Sequence, residues 1–113
     1  MTDCLFCRIV EGGIPATVVA ESERALAFAD INPAAPTHAV VVPRTHYPDV
    51  ASLSADPADL TAVVALAAVV ARDSGIAGSG WRLVFNTGAD GGQTVAHVHG
   101  HVLGGRRLTW PPG

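Results

Sequence analysis

The sequence predicts an α+β domain. Strand-like runs rich in β-branched residues come first, one long apolar helix follows, and two further strand-like runs close the chain. The order strands, helix, strands lacks the regular alternation of a parallel α/β sheet. The expected architecture is a five-stranded antiparallel sheet with one long helix and a short N-terminal helix. A length of 113 residues implies one domain spanning 1–113. With 49% apolar residues and only 5% aromatic ones, the core is built from Val, Ala, Leu and Ile.

Each element has a local reason. "CLFCRIVEGGIP" reads as a short helical turn ended by Gly12, Gly13 and Pro15. Residues 17–21 and 25–30 read as two strands joined by the polar turn Ser22 to Arg24, and 31–37 as a proline-punctuated loop. "HAVVVP" (38–43) is a third strand, stopped by Pro43, and 44–53 reads as irregular and polar. Ser54 or Asp56 can cap the long helix, Pro57 suits its first turn, and Gly75 lies just past its end. Its core stripe is expected from Leu60, Val63, Val64, Ala67, Val70 and Ala71. Most of the remaining circumference is apolar too, which points to a second cover on this helix, a partner subunit. Residues 81–86 and 96–103 read as the fourth and fifth strands, joined by a glycine-rich loop as an antiparallel hairpin.

A net charge of -3 argues against a nucleic-acid partner held by a general positive field. The start "MTDCLFC" has no secretory signature, and no apolar run is long enough to span a bilayer. A cytoplasmic protein with no membrane partner is expected, and Cys4 and Cys7 then read as thiols or metal ligands rather than a disulfide.

His97, His99 and His101 fall at every second position in 96–103. In a strand they stand in a row on one face, about 6.6–7 Å apart, with Val98, Gly100 and Val102 turned to the core. Such a row serves either metal binding or nucleophilic and acid–base chemistry. The preceding loop carries Gly88, Gly91 and Gly92, whose N–H groups can face an anion, and Gln93 and Thr94 add neutral donors. A phosphate beside an imidazole is the combination these residues favour. No P-loop pattern is present.

"HVHGHVL" resembles the signature of the histidine triad (HIT) superfamily: three histidines alternating with hydrophobic residues, then two more hydrophobic ones. "DINPAAPTHAVVVPRTH", "FNTGADGGQT" and "GGRRLTWPPG" are similar to the nucleotide-binding, phosphoramidase branch often called Hint. Gly100 departs from that pattern, which has a bulky hydrophobic there.

The resemblance implies a HIT-like fold that pairs as a homodimer, acting on purine nucleoside monophosphate derivatives. It implies phosphoramidase or aminoacyl-adenylate hydrolase activity through a nucleotidyl-histidine intermediate, with no catalytic metal. His99 would be the nucleophile, His101 would bind the phosphate, and His38 would support the histidines. Gln93 and Thr94 would contact the phosphate or leaving group, and Thr94 or a histidine could relay a proton to the departing amine. Asp30 would bind the ribose and Ile31 the base. Asn86 would lie near phosphate and sugar, and Trp110 near the substrate site.

The same branch includes bacterial-type members that bind zinc. The resemblance implies a closed, structural zinc site of Cys4, Cys7, His46 and His97, tying the N-terminus to the edge of the sheet. Three other readings stay open. They are a dinucleoside polyphosphate hydrolase or nucleotidyltransferase of the same superfamily, a nucleotide-binding module with vestigial activity, and a catalytic zinc held by His97, His99 and His101.

Overall fold

The computed structural model describes residues 3–113. The reading of the start of the chain falls partly on residues 1 and 2, which lie outside the described residues. In chain order the elements are α1 (Leu5–Val10), β1 (Val18–Glu21), β2 (Ala25–Ala29), β3 (Thr37–Pro43), α2 (Val50–Leu53), α3 (Pro57–Asp73), β4 (Trp81–Phe85) and β5 (Gly100–Gly104). The five strands form one sheet in the order β1-β2-β3-β5-β4, every neighbour antiparallel. The expected fold class is the observed one.

Strand alternation sorts the core into two layers. Ala25, Ala27, Ala39, Val41 and Val102 turn to one face, against Val63, Leu66, Ala67, Val70 and Ala71 of α3. Three alanines at this contact let the helix lie close to the sheet. Full burial of Val63, Leu66 or Val70 contributes about 1.5–3 kcal/mol each. Leu26, Phe28, Val40 and Val42 turn to the other face, where Phe6 of α1 covers them. His38, His99 and His101 share this second face.

Asp56 caps α3, its side chain accepting from the Asp59 N–H, and Pro57 begins the helix. Ser54 instead ends α2, a four-residue helix inside the segment expected to be irregular. The core stripe of α3 also shifts: Leu66 is buried and Val64 is exposed. The buried positions Asp59, Val63, Leu66, Ala67, Val70 and Ala71 still follow the helical period, on an arc that includes Leu66 and leaves Val64 at its margin. Gly75 takes φ 78° immediately after the helix, the left-handed conformation that suits a residue without Cβ.

The fifth strand is shorter than expected. Its ladder begins at Gly100, so His97 and His99 precede it. The reason is a competing partner: the Val98 N–H donates to the Tyr47 carbonyl at 2.7 Å instead of joining the sheet. Side-chain alternation survives, because Val98 still packs in the α3-side core.

Candidate active site and metal centre

The three alternating histidines have three different environments. His97 is fully buried at 0% exposure and His99 is 6% exposed, while His101 is half-buried. They do not form an open polar row. The rings of His99 and His101 are neighbours, with centroids 5.0 Å apart, and Phe6 meets the His99 ring edge-on at 4.9 Å.

Backbone carbonyls accept only, so they fix where the protons sit. His99 Nδ1 lies 2.8 Å from the His97 carbonyl oxygen and must donate to it. In the neutral ring this leaves the lone pair on Nε2. No buried side-chain nitrogen or oxygen among the described residues lacks a partner, and His99 Nε2 has none, so that atom reaches the solvent-accessible surface.

A second chain of bonds orients His101. The Ala34 N–H donates to His38 Nδ1 at 2.9 Å, so the neutral His38 ring carries its proton on Nε2. That Nε2 lies 2.9 Å from His101 Nδ1 and 3.3 Å from Asp30 Oδ2. His101 Nδ1 therefore accepts, and its own proton sits on Nε2. The result is a ring with an available lone pair beside a ring with an available N–H. Burial holds the His101 pKa below the ordinary histidine value, His99 and His38 push in the same direction, and Asp30 opposes them.

Asp30 braces this network as well as its own loop, since its Oδ1 accepts from the Asn32 N–H at 2.8 Å. It also stands at the rim of a cavity of about 460 Å³, with Ile31 beside it. Phe6, Ile9, Ile14 and Phe28 supply the apolar walls. Ile31 is 92% exposed. Thr94 is exposed and lines a separate cavity with Cys4 and His46, on the other side of Leu5.

Gln93 is fully engaged as a brace: its amide nitrogen donates to the Pro48 and Val95 carbonyls at 2.6 and 3.0 Å, and its oxygen accepts from the Gly88 N–H. Asn86 follows directly on Phe85, whose pair Gly100 adjoins His99. Trp110 is 81% exposed and lines neither of these two cavities.

His97 belongs to a different cluster. Its Nε2 donates to the Pro43 carbonyl at 3.0 Å, leaving the lone pair on Nδ1. That Nδ1 lies 3.3 Å from Cys4 Sγ, 3.4 Å from Cys7 Sγ and 3.2 Å from His46 Nδ1. Cys7 Sγ is 3.4 Å from His46 Nδ1. Zinc bonds of about 2.3 Å to sulfur and 2.0–2.1 Å to nitrogen give tetrahedral edges of about 3.5 Å for S···N and 3.3 Å for N···N. The four donors fit that ion in type and spacing. The Cys7 N–H donates to Cys4 Sγ at 3.4 Å and so fixes that sulfur at the start of α1. His46 follows β3 and His97 precedes β5, so the cluster sits at the end of the central strand pair, not at the sheet's edge. Among the described residues, no candidate metal-binding group joins His97, His99 and His101.

The HIT domain family model matches residues 11–108. The chain belongs to the HIT domain family. It is 46% identical to an uncharacterized HIT-like protein of Synechocystis, over 98% of this chain and 97% of that protein. It is 41% identical to the 14 kDa zinc-binding protein of Zea mays, over 96% of this chain and 87% of that one. The crystal structure of a HIT family hydrolase from Legionella pneumophila superposes with a TM-score of 0.94 at 46% identity, covering 98% of this chain and all of that one (100%).

Within this HIT domain, two features are not legible in the sequence. Phe6, Ile9 and Ile14 line the Asp30 cavity. The apolar spacing in "LFCRIV" signals a buried helix face but says nothing about which cavity it walls. Buried Asp59 is bonded to Tyr47 and Arg24, and nothing local in "DPADL" distinguishes it from a solvated first-turn acid. Gly100, the departure from the HIT pattern, has a packing reason. A Cβ there would meet Leu83 Cδ1 at 2.8 Å and the Phe85 ring at 3.1 Å. The large side chains of β4 occupy the space that a bulky residue at 100 would take.

Proposed function

We propose that this HIT domain is a purine nucleoside phosphoramidase that also hydrolyses aminoacyl adenylates. The observation that carries the reading is the opposite proton placement on two adjacent rings. His99 offers a lone pair on Nε2, and His101 offers an N–H on Nε2. The first suits attack on phosphorus. The second suits a phosphoryl oxygen whose charge grows as attack proceeds.

The purine ring enters the cavity walled by Phe6, Ile9, Ile14 and Ile31, and Asp30 at its rim takes the ribose hydroxyls. His99 Nε2 forms a bond to the α-phosphorus as the P–N or P–O bond to the leaving group breaks. The departing amine takes a proton relayed by Thr94 or a neighbouring imidazole. Water then attacks the nucleotidyl-histidine, the P–N bond to His99 breaks, and a nucleoside monophosphate leaves with neutral imidazole restored. His38 keeps the His101 proton on the outward nitrogen. Gln93 holds the glycine-rich loop through its bond to Pro48, and Asn86 borders the phosphate from beside His99. When bound, zinc on Cys4, Cys7, His46 and His97 supplies a rigid cross-link and no chemistry.

The protein works as a cytoplasmic homodimer. The exposed Val64, Ala65 and Ala68 on the far side of α3 supply an apolar surface for a second copy, and Trp110 reaches toward the partner's site. The test is turnover of adenosine 5′-phosphoramidate beside a diadenosine polyphosphate by one preparation. Faster release of AMP from the phosphoramidate is expected, and preference for the dinucleotide would replace this reading with the polyphosphate hydrolase. Quenched enzyme should carry an adenylyl adduct that His99→Ala lacks; turnover in that variant would refute the nucleophile.

A further inference from the structure

Three polar side chains are buried among the described residues: His97, His99 and Asp59. The histidines have places in the site, but Asp59, 4% exposed on α3, does not touch it. Burying a carboxylate is costly unless its oxygens are bonded. Here the Tyr47 hydroxyl donates to Asp59 Oδ2 at 2.6 Å, and Arg24 Nη1 donates to Oδ1 at 3.0 Å. Tyr47 lies 3.3 Å from Asp56 Oδ2 as well, so it spans both acids at the start of α3. These bonds hold the Asp59 pKa below the ordinary carboxylate value, the Tyr47 bond most strongly, and raise that of Tyr47.

The other end of Tyr47 reaches the catalytic segment. Its carbonyl accepts from the Val98 N–H at 2.7 Å. That N–H and the His97 carbonyl belong to the same planar peptide unit. The carbonyl receives the His99 Nδ1 proton. Residue 47 therefore grips one side of the peptide whose other side selects the His99 tautomer. Donation from the N–H also strengthens its carbonyl as an acceptor. The neighbours of Tyr47 reinforce the segment: His46 enters the metal cluster, and the Pro48 carbonyl accepts from Gln93.

We propose that Tyr47, anchored by Asp59, is a positioning residue that fixes the 97–98 peptide and thereby holds the His99 ring with Nδ1 donating to the His97 carbonyl and Nε2 facing outward. The assignment rests on the proposed function for its kinetic part only. The experiment compares wild type with Tyr47→Phe, which keeps the ring and removes the anchor. Long-range ¹H–¹⁵N spectra of histidine-labelled full-length protein at pH 8 read the His99 tautomer without substrate.

Wild-type His99 should be protonated on Nδ1. In Tyr47→Phe a clear Nε2–H population should appear, with kcat for adenosine 5′-phosphoramidate down about threefold to tenfold and KM within about twofold. Arg24→Gln loosens the same buried acid but leaves Tyr47 in place. It should lower stability without moving the tautomer. An unchanged His99 tautomer in Tyr47→Phe overturns the proposal. So does an equal shift in Arg24→Gln, which would mean general loosening.

Amide exchange in the wild type needs no variant: Val98 should be protected, and exchange at the rate of an open loop amide overturns the proposal even if Tyr47→Phe does not fold. A wild type that turns over no phosphoramidate would defeat the functional reading while the spectra still decide this one.

Discussion

Cys7→Ser removes one corner of the metal cluster, and the size of its effect can be worked from the chain. The four donors come from residues 4, 7, 46 and 97, so a bound ion closes loops of about 40 and 50 residues. A cross-link over such a loop removes about 4 kcal/mol of unfolded-state entropy. For a domain of this length, that corresponds to a fall in Tm of about 15–30 °C. Cys7 is the better target, because Cys4 also caps α1. The assay is thermal unfolding under reducing conditions, with metal content measured on the same sample. Wild type should hold one zinc per chain and lose about the same Tm on chelation, while Cys7→Ser should hold little and respond weakly to chelator. Stoichiometric zinc in Cys7→Ser, or a chelation shift below about 5 °C in wild type, would refute the cross-link.

Gly100→Leu should destabilise the protein by about 1–3 kcal/mol, read as a lower urea midpoint, because the added side chain meets Leu83 and Phe85. Gly100→Leu combined with Phe85→Ala should recover part of that loss. His101 has a folded pKa held below 6.5, so the folded state resists protonation that the unfolded chain accepts. Its contribution to stability is complete above about pH 6.5 and is lost as pH falls toward the lowered folded value. Denaturant titrations should therefore show stability dropping below pH 6.5, with a shallower drop in His101→Gln. Asp59→Ala should cost about 1–3 kcal/mol by removing the acceptor of the short Tyr47 bond and leaving that hydroxyl only the longer contact to Asp56, measured by chemical unfolding.

The elements were legible because their signals are local. Pro57 and Asp56 mark where α3 starts, and a run of β-branched residues closed by Pro43 marks β3. The alternating histidines and the C-x-x-C pair were visible for the same reason. What stayed hidden depends on contacts distant in sequence. Residues 96–99 have strand alternation but leave the ladder because Tyr47, some fifty residues earlier, takes the Val98 N–H. Val64 fits the helical period yet is exposed while Leu66 is buried, since on a helix apolar nearly all round the period alone does not say which arc meets the sheet. Asp59 reads as an ordinary first-turn acid until Tyr47 and Arg24 are brought to it.

Adjacent histidines are chemically alike in sequence and differ only in which backbone oxygen each meets. The Pro43 carbonyl takes the Nε2 proton of His97, and the His97 carbonyl takes the Nδ1 proton of His99. One ring consequently turns its Nδ1 lone pair toward Cys4, Cys7 and His46, and the next turns its Nε2 lone pair outward. The alternate spacing lets both happen within three residues, because each ring is set by a different part of the backbone. His97 stands in both arrangements, its ring in the metal cluster and its carbonyl under His99. A disturbance of the metal cluster that rotates the 97–98 peptide must reach His99 through that carbonyl. Mild chelation should then slow turnover before the protein unfolds, with kcat falling and KM holding. Unchanged kcat in chelated but still folded protein would separate the two centres.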